Sequence, residues 1–188
     1  GMDRELVARA QGGDESAFEA LAVASHARLY RVARGVLRDD DAADDAVQRT
    51  LVQMWRKLPQ LRDADRFEAW AYRLVVNACY DEAKRSRRST QVIPLDTHRA
   101  PVAQDELHRV EDFDELEHGF SRLSVEHRAV IVLRYLLDLT TDQVADALDI
   151  PSGTVASRLH RAMTELRAAI EADARPAGAN QWAKGVPR

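Results

Sequence analysis

The chain has 188 residues, of which 45% are apolar and 31% charged, enough apolar side chains for one medium core or two small ones. No apolar run approaches the ~20 residues that span a bilayer and no signal peptide is readable, so we expect a cytoplasmic protein without membrane insertion. Its single cysteine, Cys79, excludes a disulfide framework and a cysteine-rich zinc site, and we expect neither metal nor cofactor.

Apolar residues recur with helical spacing along most of the chain. They form stripes over Ala17–Leu37, Ala42–Leu58 and Asp65–Lys84, whereas no segment alternates convincingly as a strand. The pattern predicts an all-α protein.

The charges fall into blocks, although the net charge is only −4. Residues 83–90 carry four basic side chains and no acid, whereas residues 91–120 carry eight acids against two arginines. Residues 151–170 are basic again. Blocks of this kind indicate separate surfaces with separate partners.

The acidic stretch also divides the chain. Residues 91–112 contain two prolines and no sustained helical period, which is typical of a flexible linker. We therefore predict two small helical domains, residues 3–90 and 113–172, joined by that acidic linker and followed by a flexible tail over residues 173–188.

A helix-turn-helix is predicted between Leu139 and Arg161. Thr140 or Thr141 can cap a first helix whose inner face carries Val144, Ala145 and Leu148, and Pro151 ends that helix. Ser152 is expected to cap the second helix. The outer face of this second helix would present short hydroxyls and long donors to DNA: Ser152, Thr154, Ser157, Arg158, His160 and Arg161. An ordinary helical hairpin with a solvated basic face is the alternative.

These residues resemble a known family. The segment from Val132 to Ala162 is similar to region four of the extracytoplasmic-function (ECF, group 4) sigma factors of the sigma-70 family. Independently, the N-terminal half resembles region two of that family, in motifs that include Asp44-Asp-Ala-Val-Gln, Trp55-Arg-Lys-Leu and Phe67-Glu-Ala-Trp-Ala-Tyr-Arg-Leu-Val-Val-Asn-Ala. The resemblance implies two helical sigma domains, a region 2 bundle and a region 4 helix-turn-helix.

The resemblance also implies a function. A protein of this family binds bacterial core RNA polymerase through the β′ coiled coil and the β flap, directs it to promoter DNA and helps to open the duplex for transcription initiation. It has no catalytic residues of its own, and many members are held inactive by an anti-sigma factor.

Residue roles follow from the same resemblance. The polymerase contact would involve Asp45, Gln48, Leu51, Val52 and Trp55, although the helical spacing of Leu51 and Trp55 also fits core residues. The minus-ten DNA would contact Leu61, Arg62, Arg73, Asn77, Lys84, Arg85, Arg87 and Arg88. The minus-thirty-five duplex would contact the outer face of the second helix of the helix-turn-helix. Leu61 stands where the family often has Phe, and Ala156 and Met163 where it often has Lys or Arg. Because Ala156 and Met163 remove positive charge from the recognition helix, we expect the free protein to bind duplex DNA weakly.

Two other classes of protein fit parts of the pattern. One is a helix-turn-helix transcriptional regulator with a helical N-terminal sensor or dimerisation domain, which would require a symmetric operator. The other is a helical adaptor whose basic faces bind protein. An enzyme is not expected, because the sequence shows no phosphate-binding loop and no nucleophile–base pair.

Overall fold

The structure is a computed structural model that describes residues 4–90 and 117–173. Helices α1 to α4 form the N-terminal half: Arg4–Gln11, Glu15–Leu37, Asp40–Lys57 and Phe67–Thr90. Two 3-10 turns, Leu58–Gln60 and Ala64–Arg66, connect α3 to α4.

The C-terminal half is also helical. It contains α5 (117–122), α6 (Val125–Ile131) with a π-helical turn (Val132–Leu136), α7 (Thr141–Leu148) and α8 (Ser152–Asp173). No strand occurs in the two described ranges, which confirms the all-α prediction. The linker predicted over 91–112 and the tail beyond residue 173 lie outside the described residues.

Side-chain caps explain where several helices begin. Asp14 and Asp39 accept hydrogen bonds from the backbone amides of Ala17 (3.0 Å) and Ala42 (2.8 Å), at the starts of α2 and α3. The hydrogen bond from Ala17, assisted by Arg9, lowers the pKa of Asp14 to about 2. These short polar side chains therefore fix the chain direction at the starts of α2 and α3.

The core of the N-terminal half lies where α2, α3 and α4 meet. Leu21, Leu29, Met54 and Phe67 are among its fully buried side chains. Burial of each such side chain stabilises the fold by roughly 1.5–3 kcal/mol relative to leaving it exposed. The buried cluster continues without interruption into the C-terminal half, for example at Leu133.

The two halves pack directly against each other at two places. At the first, α2 meets α6 and its π-helical turn so closely that a Cβ atom on Gly35 would lie 2.8 Å from Cγ2 of Val132. On the same helix, Arg31 donates to the carbonyl of Leu136 (3.0 Å) and Arg38 forms an ion pair with Glu117. At the second, α4 meets both α6 and α7.

Cys79 offers a direct check on this packing. Its side chain is 0% exposed on the inner face of α4, and burial raises the pKa of the thiol from 9.0 to about 12. We expect the native chain to react with Ellman's reagent at pH 8 about a thousandfold more slowly than the unfolded chain in urea, because only the thiolate attacks. Comparable rates in the two states would contradict the burial of Cys79.

Candidate functional site

The outward face of α3 combines polar and apolar side chains. Asp45 and Gln48 are exposed, and Val52 and Trp55 are 51% and 44% exposed. These four positions follow one another at intervals of three, four and three residues, so they share one side of the helix. Leu51 is half-buried and packs against the core. The structure thus brings together the residues that the sequence analysis assigned to the polymerase contact.

Contacts on the other side of α3 hold this face in place. Val47, Thr50 and Met54 are buried, and the hydroxyl of Thr50 donates to the carbonyl of Ala46 at 2.7 Å. Arg49 forms an ion pair with Glu82 of α4. The sequence left open whether the remaining anchor, Trp55, belongs to the core or to the surface.

Trp55 does both. Its ring meets Phe18 of α2 edge-on, with ring centroids 4.9 Å apart and planes at 68°. The 44% of the side chain that stays exposed lies beside Val52, itself among the exposed large apolar residues. A rigid aromatic ring fixed at one edge and open at the other is suited to anchor a partner helix.

The outward side of α4 carries most of the predicted minus-ten residues. Asn77, Lys84, Arg85, Arg87 and Arg88 are exposed, whereas the opposite side of the helix is buried. Asn77, Lys84 and Arg88 lie seven and four residues apart, so they form one row. The amide of Asn77 can donate to and accept from the edge of a base. The row of cations after it is suited to bind the phosphate backbone.

The loop before α4 is held more firmly than the sequence indicated. The side-chain amide of Gln11 donates to the carbonyl of Leu61 at 2.5 Å and, more weakly, to that of Leu58 at 3.4 Å. Leu61 itself is half-buried against the core, whereas Arg62 is exposed. Leu61 therefore helps to anchor the loop in this structure, and Arg62 is the residue of the pair that reaches solvent.

Arg73 differs from the other minus-ten residues because it already has partners in the C-terminal half. It donates to the backbone carbonyl of Asp146 at 2.6 Å and forms an ion pair with Asp149 at 3.3 Å. Arg66 pairs with the Asp146 carboxylate at 3.1 Å. Arg66 was not among the residues predicted from the sequence; its place just before a helix with a basic outer row was the available signal.

The predicted helix-turn-helix corresponds to α7 and α8. Thr140 caps α7 in a capping box with Gln143, as expected, and Val144 and Val155 are fully buried between the two helices. Ser152 does not cap α8: the carbonyl of Pro151 accepts from the first helical amides, and the Ser152 hydroxyl donates to Asp142 at 2.7 Å. The expectation for Ser152 as a cap was wrong because the chain enters the helix one residue earlier.

The outer face of α8 is exposed at four of the six predicted minus-thirty-five positions: Ser152, Ser157, His160 and Arg161. Thr154 and Arg158 are half-buried, and Arg158 lies near Tyr80 of α4, whose pKa burial raises to about 12. Ala156 is exposed, whereas Met163 is half-buried and lines a cavity with Phe120 and Leu166. Of these two positions, at which the family often has Lys or Arg, only that of Ala156 lies on the outer face of α8.

Within the described residues there is no cluster of His, Cys, Asp or Glu that could hold a metal ion. None of the helices in the same part of the chain is long and apolar enough to cross a bilayer.

Comparison with known proteins assigns the two halves. The family model for Sigma-70 region 2 matches residues 21–89, and that for Sigma-70 region 4 matches residues 107–166. The chain belongs to the sigma-70 family. The region 2 match occupies the half in which a transcriptional regulator would carry its sensor or dimerisation domain, so the regulator interpretation loses its basis.

The relatives specify the branch of that family. The chain is 34% identical over 164 residues to the ECF RNA polymerase sigma factor SigM of Mycobacterium tuberculosis, covering 87% of this chain and 82% of that protein. It is 32% identical over 168 residues to SigL of the same species, covering 88% and 95%. This chain is therefore an ECF sigma factor, a subunit that binds core RNA polymerase and directs it to promoter DNA.

Solved structures agree with the fold. CnrH, in complex with the cytosolic domain of CnrY, superposes with a TM-score of 0.65 at 28% identity and covers 91% of this chain and 98% of that one. RpoE of Bartonella quintana, in complex with the anti-sigma factor NepR, also superposes with a TM-score of 0.65, at 22% identity, and covers 83% and 98%. The second likeness concerns the fold alone.

Proposed function

We propose that this sigma factor divides its work among three surfaces. The outward face of α3 binds the β′ coiled coil of core polymerase, the outer row of α4 and the loop before it contact and open the minus-ten element, and α8 reads the minus-thirty-five duplex. Region two spans residues 3–90. Region four spans residues 113–172 and also binds the β flap. Residues 91–112 act as an acidic tether and residues 173–188 as a tail.

The observation that carries the proposal is the α3 face. Val52 and Trp55 are two of the large apolar side chains that remain exposed in the described structure, and they lie beside the polar pair Asp45 and Gln48. Apolar anchors next to polar groups on one helix face are suited to helix-on-helix recognition. Adjacent exposed apolar side chains rimmed by polar residues are a feature of protein-interaction sites.

The minus-ten role rests on α4. Asn77 is exposed at the start of a row of cations and can donate to and accept from the edge of a flipped base. Lys84, Arg85, Arg87 and Arg88 would follow the phosphates, which makes the binding depend on salt. Leu61 supports the loop, and Arg62 is its exposed cation.

Other features of the proposal follow from the family. The sigma factor acts in the cytoplasm with RNA polymerase, needs neither cofactor nor metal, and contributes binding and DNA opening without catalysing a reaction. A dedicated anti-sigma factor holds it inactive, and the binding of the cytosolic domain of CnrY by CnrH supports a partner of this kind.

Replacing Asn77 tests the minus-ten role. We expect Asn77→Ala holoenzyme to assemble normally but to open a promoter, selected by the wild-type holoenzyme from a random duplex library, about tenfold less. Permanganate reactivity of unpaired thymines measures the opening. His26→Ala, at an exposed position on α2, is the control and should open the promoter as the wild type does. Equal opening by the two variants would remove Asn77 from the site.

A further inference from the structure

We propose that the cavity between α3, α4 and α6 binds the phosphate group of a small anionic ligand through Arg87 and Arg128. The cavity has a volume of about 300 Å³. The N-cap of α3 contributes Asp39 to its wall, α4 contributes Glu82 and Arg87, and α6 contributes Arg128. The inference goes beyond the proposed function and shares only Arg87 with it.

Arg128 provides the main evidence for an anion site. Its side chain is half-buried, and its Nε atom is buried without a hydrogen-bond partner among the described residues. A buried charged donor without an acceptor destabilises a protein, so folded proteins almost always supply one. Because the side chain of Arg128 also lines the cavity, an anion bound there can accept hydrogen bonds from its guanidinium group.

The charges around Arg128 leave a surplus of positive charge. Burial lowers the pKa of Arg128, and the neighbouring guanidinium groups of Arg38 and Arg87 lower it further. Glu126 acts in the opposite direction, but its effect is smaller. Arg38 forms an ion pair with Glu117, whereas none of the ion pairs between described residues involves Arg87 or Arg128. Two cations without a carboxylate partner in that part of the chain therefore line the cavity.

The two carboxylates of the cavity wall do not balance these cations. Asp39 caps α3, where its oxygen accepts from the amide of Ala42 at 2.8 Å and its charge is offset by the positive end of the helix dipole. Glu82 pairs with Arg49 and, at 3.6 Å, with Arg85. Both carboxylates are thus engaged by other groups, which leaves the two cavity cations for a ligand.

The chemistry of the two guanidinium groups favours a phosphate. Each presents a planar fork of N–H donors that can bind two oxygens of one phosphate, and together they match the charge of a phosphate monoester. A volume of about 300 Å³ lies at the lower end of the range found for small-molecule sites. The cavity can therefore take a phosphate with part of the molecule that carries it.

The backbone of DNA offers the same chemical group, so the two sources have to be separated. Arg87 is exposed on α4 and is one of the cations proposed to follow the minus-ten phosphates, whereas Arg128 lies half-buried on α6. This recessed position favours a small free ligand over a nucleic-acid strand. Such a ligand would bridge α4 and α6, and its binding would therefore stabilise the folded chain.

Calorimetric titration of the full chain with inorganic phosphate, at constant ionic strength, tests the inference. We expect phosphate to bind with a Kd on the order of 1 mM, and Arg128→Gln to weaken this binding about tenfold or more. Arg167→Gln makes the same change in charge at an exposed arginine of α8 and should bind phosphate as the wild type does. Arg87→Gln, at an exposed position, should also weaken binding and keeps the test decisive if the Arg128 variant does not fold.

A fluorescein-labelled single-stranded DNA of about 12 nucleotides is the second probe. For a small-ligand site, we expect the Arg128 and Arg167 variants to bind this DNA with equal affinity. Absence of phosphate binding to the wild type up to about 20 mM, or equal phosphate binding by the Arg128 and Arg167 variants, would overturn the inference. Weaker DNA binding by the Arg128 variant alone would assign the cavity to the DNA backbone and refute the small ligand.

Discussion

Val52→Asp is expected to weaken binding of the full chain to bacterial core RNA polymerase by about 30-fold or more. Val52 is half-exposed in the free protein and supports no core packing of its own, so the variant should fold normally. In the complex the new carboxylate would be buried without a partner, in the centre of the α3 face, where single changes commonly cost ~2 kcal/mol or more.

A titration of labelled chain with core polymerase measures this loss. The matched control is Val23→Asp, the same substitution at a valine of α2 that is 72% exposed. Trp55→Ala should also weaken binding but removes the contact with Phe18 as well, so its thermal stability has to be measured alongside. Equal affinities for the Val52 and Val23 variants would show that polymerase binds elsewhere.

The second large effect is expected on recognition of the minus-thirty-five DNA when Arg161 is replaced by alanine. This side chain is exposed on the outer face of α8, next to the exposed His160 and close to Ser157, whose hydroxyl donates to the carbonyl of Thr154 at 3.0 Å. Because the hydroxyl protons of Ser152 and Ser157 are both used, the donors left at the four exposed positions are those of His160 and Arg161. Loss of an arginine contact to a base costs roughly 1–3 kcal/mol, or about 5- to 150-fold in affinity.

Selection of duplexes by the holoenzyme from a random library measures the effect of Arg161→Ala. A base contact would appear as lost preference at one position of the minus-thirty-five element. Arg167→Ala, an exposed arginine on the same helix but on another side of it, should leave the selected sequence unchanged. If both variants select the same element as the wild type, α8 does not read DNA through Arg161.

The sequence predicted most of the local structure seen in the described residues, with the cap expected at Ser152 as an exception. The stripes predicted for α2, α3 and α4 are the faces that the bundle buries, and Thr140 caps α7 through a pattern of residues three apart. Both kinds of signal depend on neighbours within a few residues.

The packing of region four on region two lay beyond that reasoning. The contact joins residues about 70 to 100 positions apart, such as Arg73 with Asp149 and Gly35 with Val132. A glycine within a helical pattern and an aspartate at a helix end each have ordinary local explanations. Periodicity identifies an apolar face but does not say which element covers it, so Arg66 and Gly35 were not selected.

For the same reason, the sequence did not decide whether Trp55 lies in the core or on the surface. Its spacing with Leu51 and Leu58 fits a core stripe, whereas its place beside Val52 fits a surface one, and the structure uses one edge of the ring for each. An amphipathic ring at the border of two faces cannot be assigned by period alone.

The most direct test of the central claim, that α3 is the face bound by polymerase, is site-specific photo-cross-linking. A photo-reactive amino acid is placed at Val52 or, as a reference, at Val23, and the full chain is irradiated with bacterial core RNA polymerase. We expect Val52 to yield a cross-link to the coiled coil of the β′ subunit and Val23 to yield none. A complex that forms but cross-links to β′ through Val23 alone, or through neither position, would contradict the account.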